Sequence, residues 1–482
     1  MKRILTILLL IHAAFAGDTL FVSLEEAILI AFENNAAIGI ERLGPKIAKT
    51  YVRAEGAAFE PELTGSATMT ESETPFSYGS SEETSLQISK GQSFQGSLGF
   101  ALPTGTTISA EASISGDLPE SSLEQWSSEI GVSVNQSLLQ GISPVSNLAR
   151  LRKAKIDVEI SELELKALGE SVIAEVEGAY WGLYLAVKEL EIRERSLTLA
   201  RTQLLESEER IKVGKLAEIE LAAVHAEVAT REAAMIDARA REEQARLKLI
   251  YLLNPGAENE WELFIVPTES PVVPQDTVDG IALHESLAIM YRPDLNQARL
   301  SLRKNRLDLA RTRNGLLPKL DLFIELGRTS YAGSFEDATP DLDSPYYKAK
   351  GGLSLELPLT LRQARAEHAR TRWTREQLQL ALENMERLVE RDVRIAYSEV
   401  FRSGRQIEAT EVANRLQEKK LEAEQEKFRI GKSTNFQVLQ AQRDFIESQL
   451  GQARARAVYL EALSSLYLME GTLLERRGIA AN

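Results

Sequence analysis

The chain has 482 residues, room for about three domains of roughly 150 residues, and a formal charge of −15 from 56 Lys+Arg against 71 Asp+Glu. So acidic a chain repels a phosphate backbone, which argues against a nucleic-acid partner. The lack of any cysteine excludes a disulfide framework, thiolate metal sites, a catalytic thiol and a lipid-bearing cysteine, while 26% charged against 6% aromatic residues suits long solvated helices.

Residues 1–16 read as a secretory signal: Lys2 and Arg3, an apolar stretch from Ile4 to Ile11, then Ala14-Phe15-Ala16 as a small-x-small cleavage site. The mature chain is expected to begin at Gly17. A stretch of eight residues cannot span a bilayer core of about 30 Å, and no run of 18 or more apolar residues follows, so a transmembrane helix is not expected.

The chain then matches itself at two offsets. At 217, Ala179-Tyr180 lies over Ala396-Tyr397, and Ile211-Lys212-Val213-Gly214-Lys215 over Phe428-Arg429-Ile430-Gly431-Lys432. At 257, Phe59-Glu60-Pro61-Glu62-Leu63 lies over Leu316-Leu317-Pro318-Lys319-Leu320. The difference of forty puts an insertion in the first copy, between Leu63 and roughly Val176.

In chain order, strands come first. Leu63, Gly65, Ala67 and Met69 alternate with hydroxyl residues; Phe94 to Leu102, Ile108 to Ile114 and Ile130 to Val134 repeat the period of two, and the second copy offers Leu320 to Leu326 and Leu353 to Leu359. Each is about ten residues with one apolar and one polar face, the length a tilted strand needs to cross a bilayer. The tight turn Pro103-Thr104-Gly105 contrasts with long polar loops at Glu71–Glu83, Gly116–Gln125 and Thr329–Tyr346, as short periplasmic turns contrast with external loops.

The helices are written in heptads: Val176, Leu183, Leu190, Leu197, Leu204 and Ile211, answered by Val393, Val400, Ile407, Asn414, Leu421 and Phe428. Ala179, Ala186 and Ala200 keep the seam narrow, so these helices need neighbours on more than one side. As one helix, Ser143 to Val213 would span about 105 Å; the return from Leu216 to Leu253 covers about 57 Å, a shortfall that a helix around Leu295 to Gly315 could fill. Predicted boundaries are strands 62–137, long helix 143–213 and return helix 216–253 in a first repeat, 17–254; a linker, 255–276; strands 319–359, helix 362–429 and return helix 433–474 in a second repeat, 277–474; and a tail, 475–482.

Enzyme chemistry has little material. Beyond His12, the histidines His225, His284 and His368 have no ligand spacing and read as helix-surface residues. Gly431-Lys432-Ser433-Thr434 imitates the end of a phosphate-binding loop, but Glu426 stands where its first glycine belongs, so it reads as a turn. Glu208 and Glu209 lie among Arg201, Arg210 and Lys212 on a solvated face. No cofactor or metal is expected.

The doubled strand entries (59–63 and 316–320) and the helix-tip sequences Arg-Ile-Lys-Val-Gly-Lys (210–215) and Lys-Phe-Arg-Ile-Gly-Lys (427–432) resemble the TolC-like outer-membrane efflux proteins, over nearly all of the mature chain. That resemblance implies an α+β membrane protein: a homotrimeric outer-membrane β-barrel, four to six strands per protomer, continued by a periplasmic α-helical coiled-coil tunnel. It implies a duct for efflux or type I secretion, partnered by a periplasmic adaptor and an inner-membrane pump. Val213, Gly214 and Lys215, with Ile430, Gly431 and Lys432, match the turns that meet the adaptor. Gln437 and Gln440 match acidic rings that constrict the entrance in the best-known member, and both are neutral here. Glu218 and Glu220 lie at the entrance; Glu220 matches a latch acid whose expected hydroxyl partner is Phe428. The alternative reading is a periplasmic structural coiled-coil protein, which accounts for the heptads but not for the strands.

Overall fold

The computed structural model describes residues 19–77, 84–119, 125–214, 218–257, 259–273 and 278–479. The predicted signal segment therefore lies outside the described residues, as do parts of the loops at 71–83 and 116–125, Lys215, part of the linker and the end of the tail. The chain divides into two compact units, one of Pro45–Ile160 with Ala298–Ala381 and one holding the remainder.

The first unit carries one antiparallel sheet of six strands: β2 (Glu62–Ser77), β3 (Thr84–Ala101), β4 (Thr106–Pro119), β5 (Gln125–Ser137), β7 (Lys319–Ala332) and β8 (Tyr346–Glu356), hydrogen-bonded in that order. The register keeps like with like. Leu63, Leu98, Ala110, Val132, Leu326 and Ala349 form one cross-strand row, while Thr64, Ser97, Glu111, Gly131, Gly327 and Lys348 form the adjacent row on the other face. Strands of 11 to 18 residues replace the expected ten, because ladder pairing outlasts the apolar alternation. Beyond Met69, for example, Glu71 pairs with Lys90 at 3.1 Å. The connection after β7 folds back over one end of the apolar face: Phe335 meets Trp126 edge-on at 5.0 Å and lies 5.6 Å from Phe94, and Ser128 Oγ donates to the Thr339 carbonyl.

The expected unbroken helix from residue 143 is corrected. Pro144–Asn147 forms one turn, α4, and the long helix α5 starts at Ala149 and runs to Lys212. Pro144 fits a first helical turn, where its missing N–H is no loss, and Asn147 Nδ2 donates to the carbonyls of Pro103 and Gly141, fastening the chain where it leaves the sheet. Helix α8 (Pro293–Asn314) runs beside the start of α5, tied by Lys153–Asp308 at 2.8 Å and by Lys304–Asp157.

The second unit is helical. Its long members are α5 from Ser161, α6 (Ile219–Leu253), α9 (Arg362–Arg429) from Leu382, and α10 (Asn435–Glu470). The first heptad seam is buried at Val176, Leu183 and Leu197, with the small companions Ala179, Ala186 and Ala200, and only half-buried at Leu190, Leu204 and Ile211. In the second repeat Val393, Val400 and Ala396 pack with Ala288, Tyr459, Ala462 and Leu466.

The other end of the first core is built from elements the periodicity did not reveal. Residues Thr19–Val22 form β1, which pairs in parallel with β6 (Phe264–Pro267) inside the linker. Tyr180 donates its hydroxyl to the Val22 carbonyl beneath this ribbon. Helices α1 (Leu24–Asn34) and α2 (Ala36–Glu41) follow, with α3 (Gly44–Gly56) next in the chain; Ser23 and Glu26 make a reciprocal capping box on α1, and Asn35 caps α2 while its Nδ2 donates to the Leu252 carbonyl.

Candidate functional site: the two helical tips

Two helical hairpins end in glycine turns. At the first, α5 stops at Lys212, Gly214 N–H donates to the Ile211 carbonyl at 2.8 Å, and Gly214 takes φ +70°. At the second, α9 stops at Arg429, Gly431 takes φ +76°, and two bonds close the end: Gly431 N–H to Phe428 O and Lys432 N–H to Lys427 O. The longer of these reaches back five residues, the helix-terminating pattern that needs a left-handed residue and favours glycine. Among the described residues, a Cβ added at either glycine would meet nothing within 4 Å. The glycines are thus demanded by backbone conformation, and the space around them is open to another chain.

Apolar side chains stand in the open at both tips: Val213 and Ile219 on the first, Ile430 and Phe436 on the second, each more than 60% exposed. The flanking charges are paired locally, Lys212 with Glu209, Lys427 with Glu424 and Arg429 with Glu426. Glu218 is exposed at the start of α6. The side chains of Lys215 and Glu220 lie outside the described residues. Phe428, which takes the place of a hydroxyl partner, holds the Arg210 guanidinium 4.9 Å from its ring centroid, joining the two tips by a cation–π contact.

Gln437 and Gln440, the two glutamines expected at an entrance, are both engaged in hydrogen bonds. Thr434 Oγ1 accepts from the Gln437 N–H, and Gln437 Oε1 accepts in return from the Thr434 N–H, a capping box that starts α10. The same Gln437 oxygen accepts from Ser433 Oγ at 2.8 Å. Gln440 Nε2 donates to Asp444 Oδ1 at 2.9 Å. Asp444 is therefore an acid on this face, one turn beyond the positions singled out in the sequence. Its hydrogen bond from Lys420, at 2.7 Å, and the amide of Gln440 hold its carboxyl below the usual aspartate range.

Behind the tips lies a buried polar lattice joining three helices. Arg231 on α6 donates to Glu227 at 2.9 Å, to the Ser196 carbonyl on α5 at 2.8 Å and to Gln442 Oε1 on α10 at 2.9 Å. Gln442 in turn donates to Gln203, whose own amide donates to Asn435. Heptad reading cannot find such a lattice, because its members sit between the apolar seams and are separated by up to 239 residues.

Of the three histidines, His225 is exposed and His368 is half-buried against Thr312, but the expectation that His284 lies on a helix surface is wrong. His284 is buried on α7 (Ile281–Tyr291), its Nδ1 on the carboxylate of Glu470, which is fully buried. The second Glu470 oxygen accepts from Thr472 Oγ1 at 2.9 Å and Arg476 at 3.3 Å, so the carboxylate is compensated from both sides. Among the described residues no three His, Cys, Asp or Glu side chains gather as a metal-ligand set, and no helix is long and apolar enough to cross a membrane.

Residues 286–472 match the model of the outer membrane efflux protein family. No curated protein matches the sequence. In fold, the chain is similar to the Campylobacter jejuni CmeC outer membrane channel, with a TM-score of 0.70 and 15% identity over 93% of this chain and 86% of that one. It is similar to the Vibrio cholerae outer membrane protein VceC, with a TM-score of 0.68, 15% identity, and 93% and 96% of the two chains covered. The open state of the Neisseria gonorrhoeae MtrE outer membrane channel gives 0.66, 18%, 94% and 89%. The chain is thus TolC-like in fold over nearly its whole length, and in residues 286–472 it carries the sequence pattern of the outer membrane efflux proteins.

Proposed function

We infer that this chain is the outer-membrane duct of a tripartite export system, receiving cargo from an inner-membrane pump and passing it across the periplasm and outer membrane. The observation that carries the reading is one sheet with an apolar and a polar face whose edge strands, β2 and β8, have no further strand beside them among the described residues, on a chain whose other unit is made of long helical hairpins. Open sheet edges have no hydrogen-bond partner in lipid, so such a sheet spans a membrane only when copies close it into a barrel. A homotrimer does this, with residues 1–16 as its export signal, the repeats 17–254 and 277–474 building each protomer, and 255–276 linking them.

In this reading Val213, Gly214 and Lys215, with Ile430, Gly431 and Lys432, are the surfaces on which a periplasmic adaptor docks. The open space around both glycines and the exposed Val213 and Ile430 support it. Glu218, Glu220, Phe428, Gln437 and Gln440 surround the tunnel entrance. The duct performs no chemistry of its own; the pump chooses the cargo. The test is export from cells lacking the chain, with site-specific cross-linking from residues 213 and 430. Loss of export, restored by the wild-type chain, and cross-links to an adaptor are expected. Normal export without the chain, or tips that cross-link to nothing in an exporting cell, would overturn the reading.

A further inference from the structure

We propose that each protomer contributes six strands to the barrel wall, so that three copies close an eighteen-stranded barrel with a lumen about half as wide again as twelve strands would give. This rests on the trimeric-duct reading and specifies what that duct admits.

The forty-residue difference between the repeats is accounted for by the hairpin β3–β4. It stands in the middle of the sheet rather than beside it: β3 is paired with β2 from Glu62–Gly99 to Ser77–Thr84, and β4 with β5 from Thr106–Gln136 to Asp117–Gln125. A plug or flap would break the row pattern at its borders. Here the apolar row passes from Leu63 through Leu98 and Ala110 to Val132 without changing face. The polar face is stitched across both borders as well, by Thr64–Ser97 hydroxyls at 2.7 Å on one side and Ser109–Ser133 at 2.6 Å on the other. A one-residue slip at either border would turn the whole hairpin inside out, so the continuity of both faces fixes it as wall. Because strands are added as a pair, the chain still returns to the side from which it entered.

The lumen face also says how the wider barrel discriminates. Hydroxyls dominate it, and charges on β5, β7 and β8 are paired with one another, Lys348 with Glu129 at 2.8 Å and Lys350 with Glu325 at 3.4 Å. Glu111 and Asp117 on β4 share this face and are partnered by the neutral Gln95 and Ser89, so the lining is hydrophilic with an excess of carboxylates and holds no apolar solute strongly. The added width raises the cross-section that the barrel admits.

The cysteine-free chain allows a direct test on the full-length protein in lipid vesicles. Single variants Leu98→Cys and Ile108→Cys mark the apolar face of the hairpin, and Ser97→Cys and Ser109→Cys its polar face. Ile324→Cys and Leu353→Cys mark the apolar face of β7 and β8 as references. Leu98→Cys and Ile108→Cys are expected to behave like the references, reacting with a bilayer-partitioned maleimide and at least tenfold more slowly with a sulfonated one. Ser97→Cys and Ser109→Cys should show the opposite preference. If the two apolar-face hairpin variants react with the sulfonated reagent while the references stay protected, the hairpin lies outside the wall and the proposal is wrong. If the references also react from water, the duct reading falls first and takes the proposal with it.

Discussion

Replacing Arg231 by Ala removes the centre of the lattice that binds α5, α6 and α10 behind the tips. The guanidinium makes three hydrogen bonds of 2.8 to 2.9 Å and its side chain is only 7% exposed. Its loss strands the Glu227 carboxylate, 9% exposed, with Arg443 at 3.7 Å as a remaining cation, leaves Gln442 Oε1 without this donor and removes a second bond from the Ser196 carbonyl. Breaking one side of a buried pair costs about 3–5 kcal/mol, because a charge is left in low dielectric. Removing both charges while keeping volume does not carry that penalty, so Glu227→Leu with Arg231→Met should recover most of the loss. The damage should also be local: amide hydrogen exchange measured by mass spectrometry should accelerate in the first turns of α10, where Gln442 is anchored, before it changes around the core of Tyr180 and Leu253. Thermal melts of the purified protein give the global figure. A cost below about 1 kcal/mol for Arg231→Ala, or a double variant as damaged as the single, would refute the reasoning.

Three further outcomes are expected. Burial on α5 raises the Glu170 carboxyl from 4.5 to about 8, since its cation Lys166, 3.9 Å away, lies closer to Glu475, at 2.7 Å. The folded state then holds a proton that the unfolded chain releases, so this stability is full below about pH 4.5 and is lost as pH rises through 8; Glu170→Gln should remove up to several kcal/mol of decline between pH 5 and pH 9, and parallel melting curves for the two proteins would contradict it. Replacing Gly214 and Gly431 by Trp should abolish export and leave the trimer assembled, since each left-handed position costs only about 1–2 kcal/mol and no neighbour is struck; export at the wild-type level would end the docking assignment. Channel conductance should respond little to multivalent cations from the tip side, and Gln437→Asp with Gln440→Asp should create block by gathering like charges; strong block of the unmodified channel would mean that Asp444 or Glu218 lines the constriction.

What was legible in the sequence was whatever repeats at short period. Alternation exposed the sheet because its apolar and polar rows are carried by adjacent residues, as at Leu63 and Thr64. The heptads exposed the helices because Val176, Leu183 and Leu197 bury the same stripe turn after turn. Gly214 and Gly431 were legible because a left-handed helix end leaves few choices of residue. Long-range pairings left no such trace. His284 looked like a surface histidine until Glu470, 186 residues away, was brought onto its ring nitrogen. The Arg231 lattice and the β1–β6 ribbon are likewise made by residues distant in sequence, and a four-residue strand is too short to show a period. The cap at Gln437 was written locally, as Thr434 followed three residues later by a glutamine, and reading by heptads passes over it.

The central claim, that copies of this chain close into one outer-membrane duct, is tested most directly by separating the cell envelope and running the outer-membrane fraction on gels with and without heating. The expected result is a species of about three chain masses, from a chain of 53.5 kDa, that resists detergent and collapses to the monomer only when boiled. Recovery of the protein as a monomer or dimer in the soluble periplasmic fraction would contradict the claim and return the chain to a structural coiled coil.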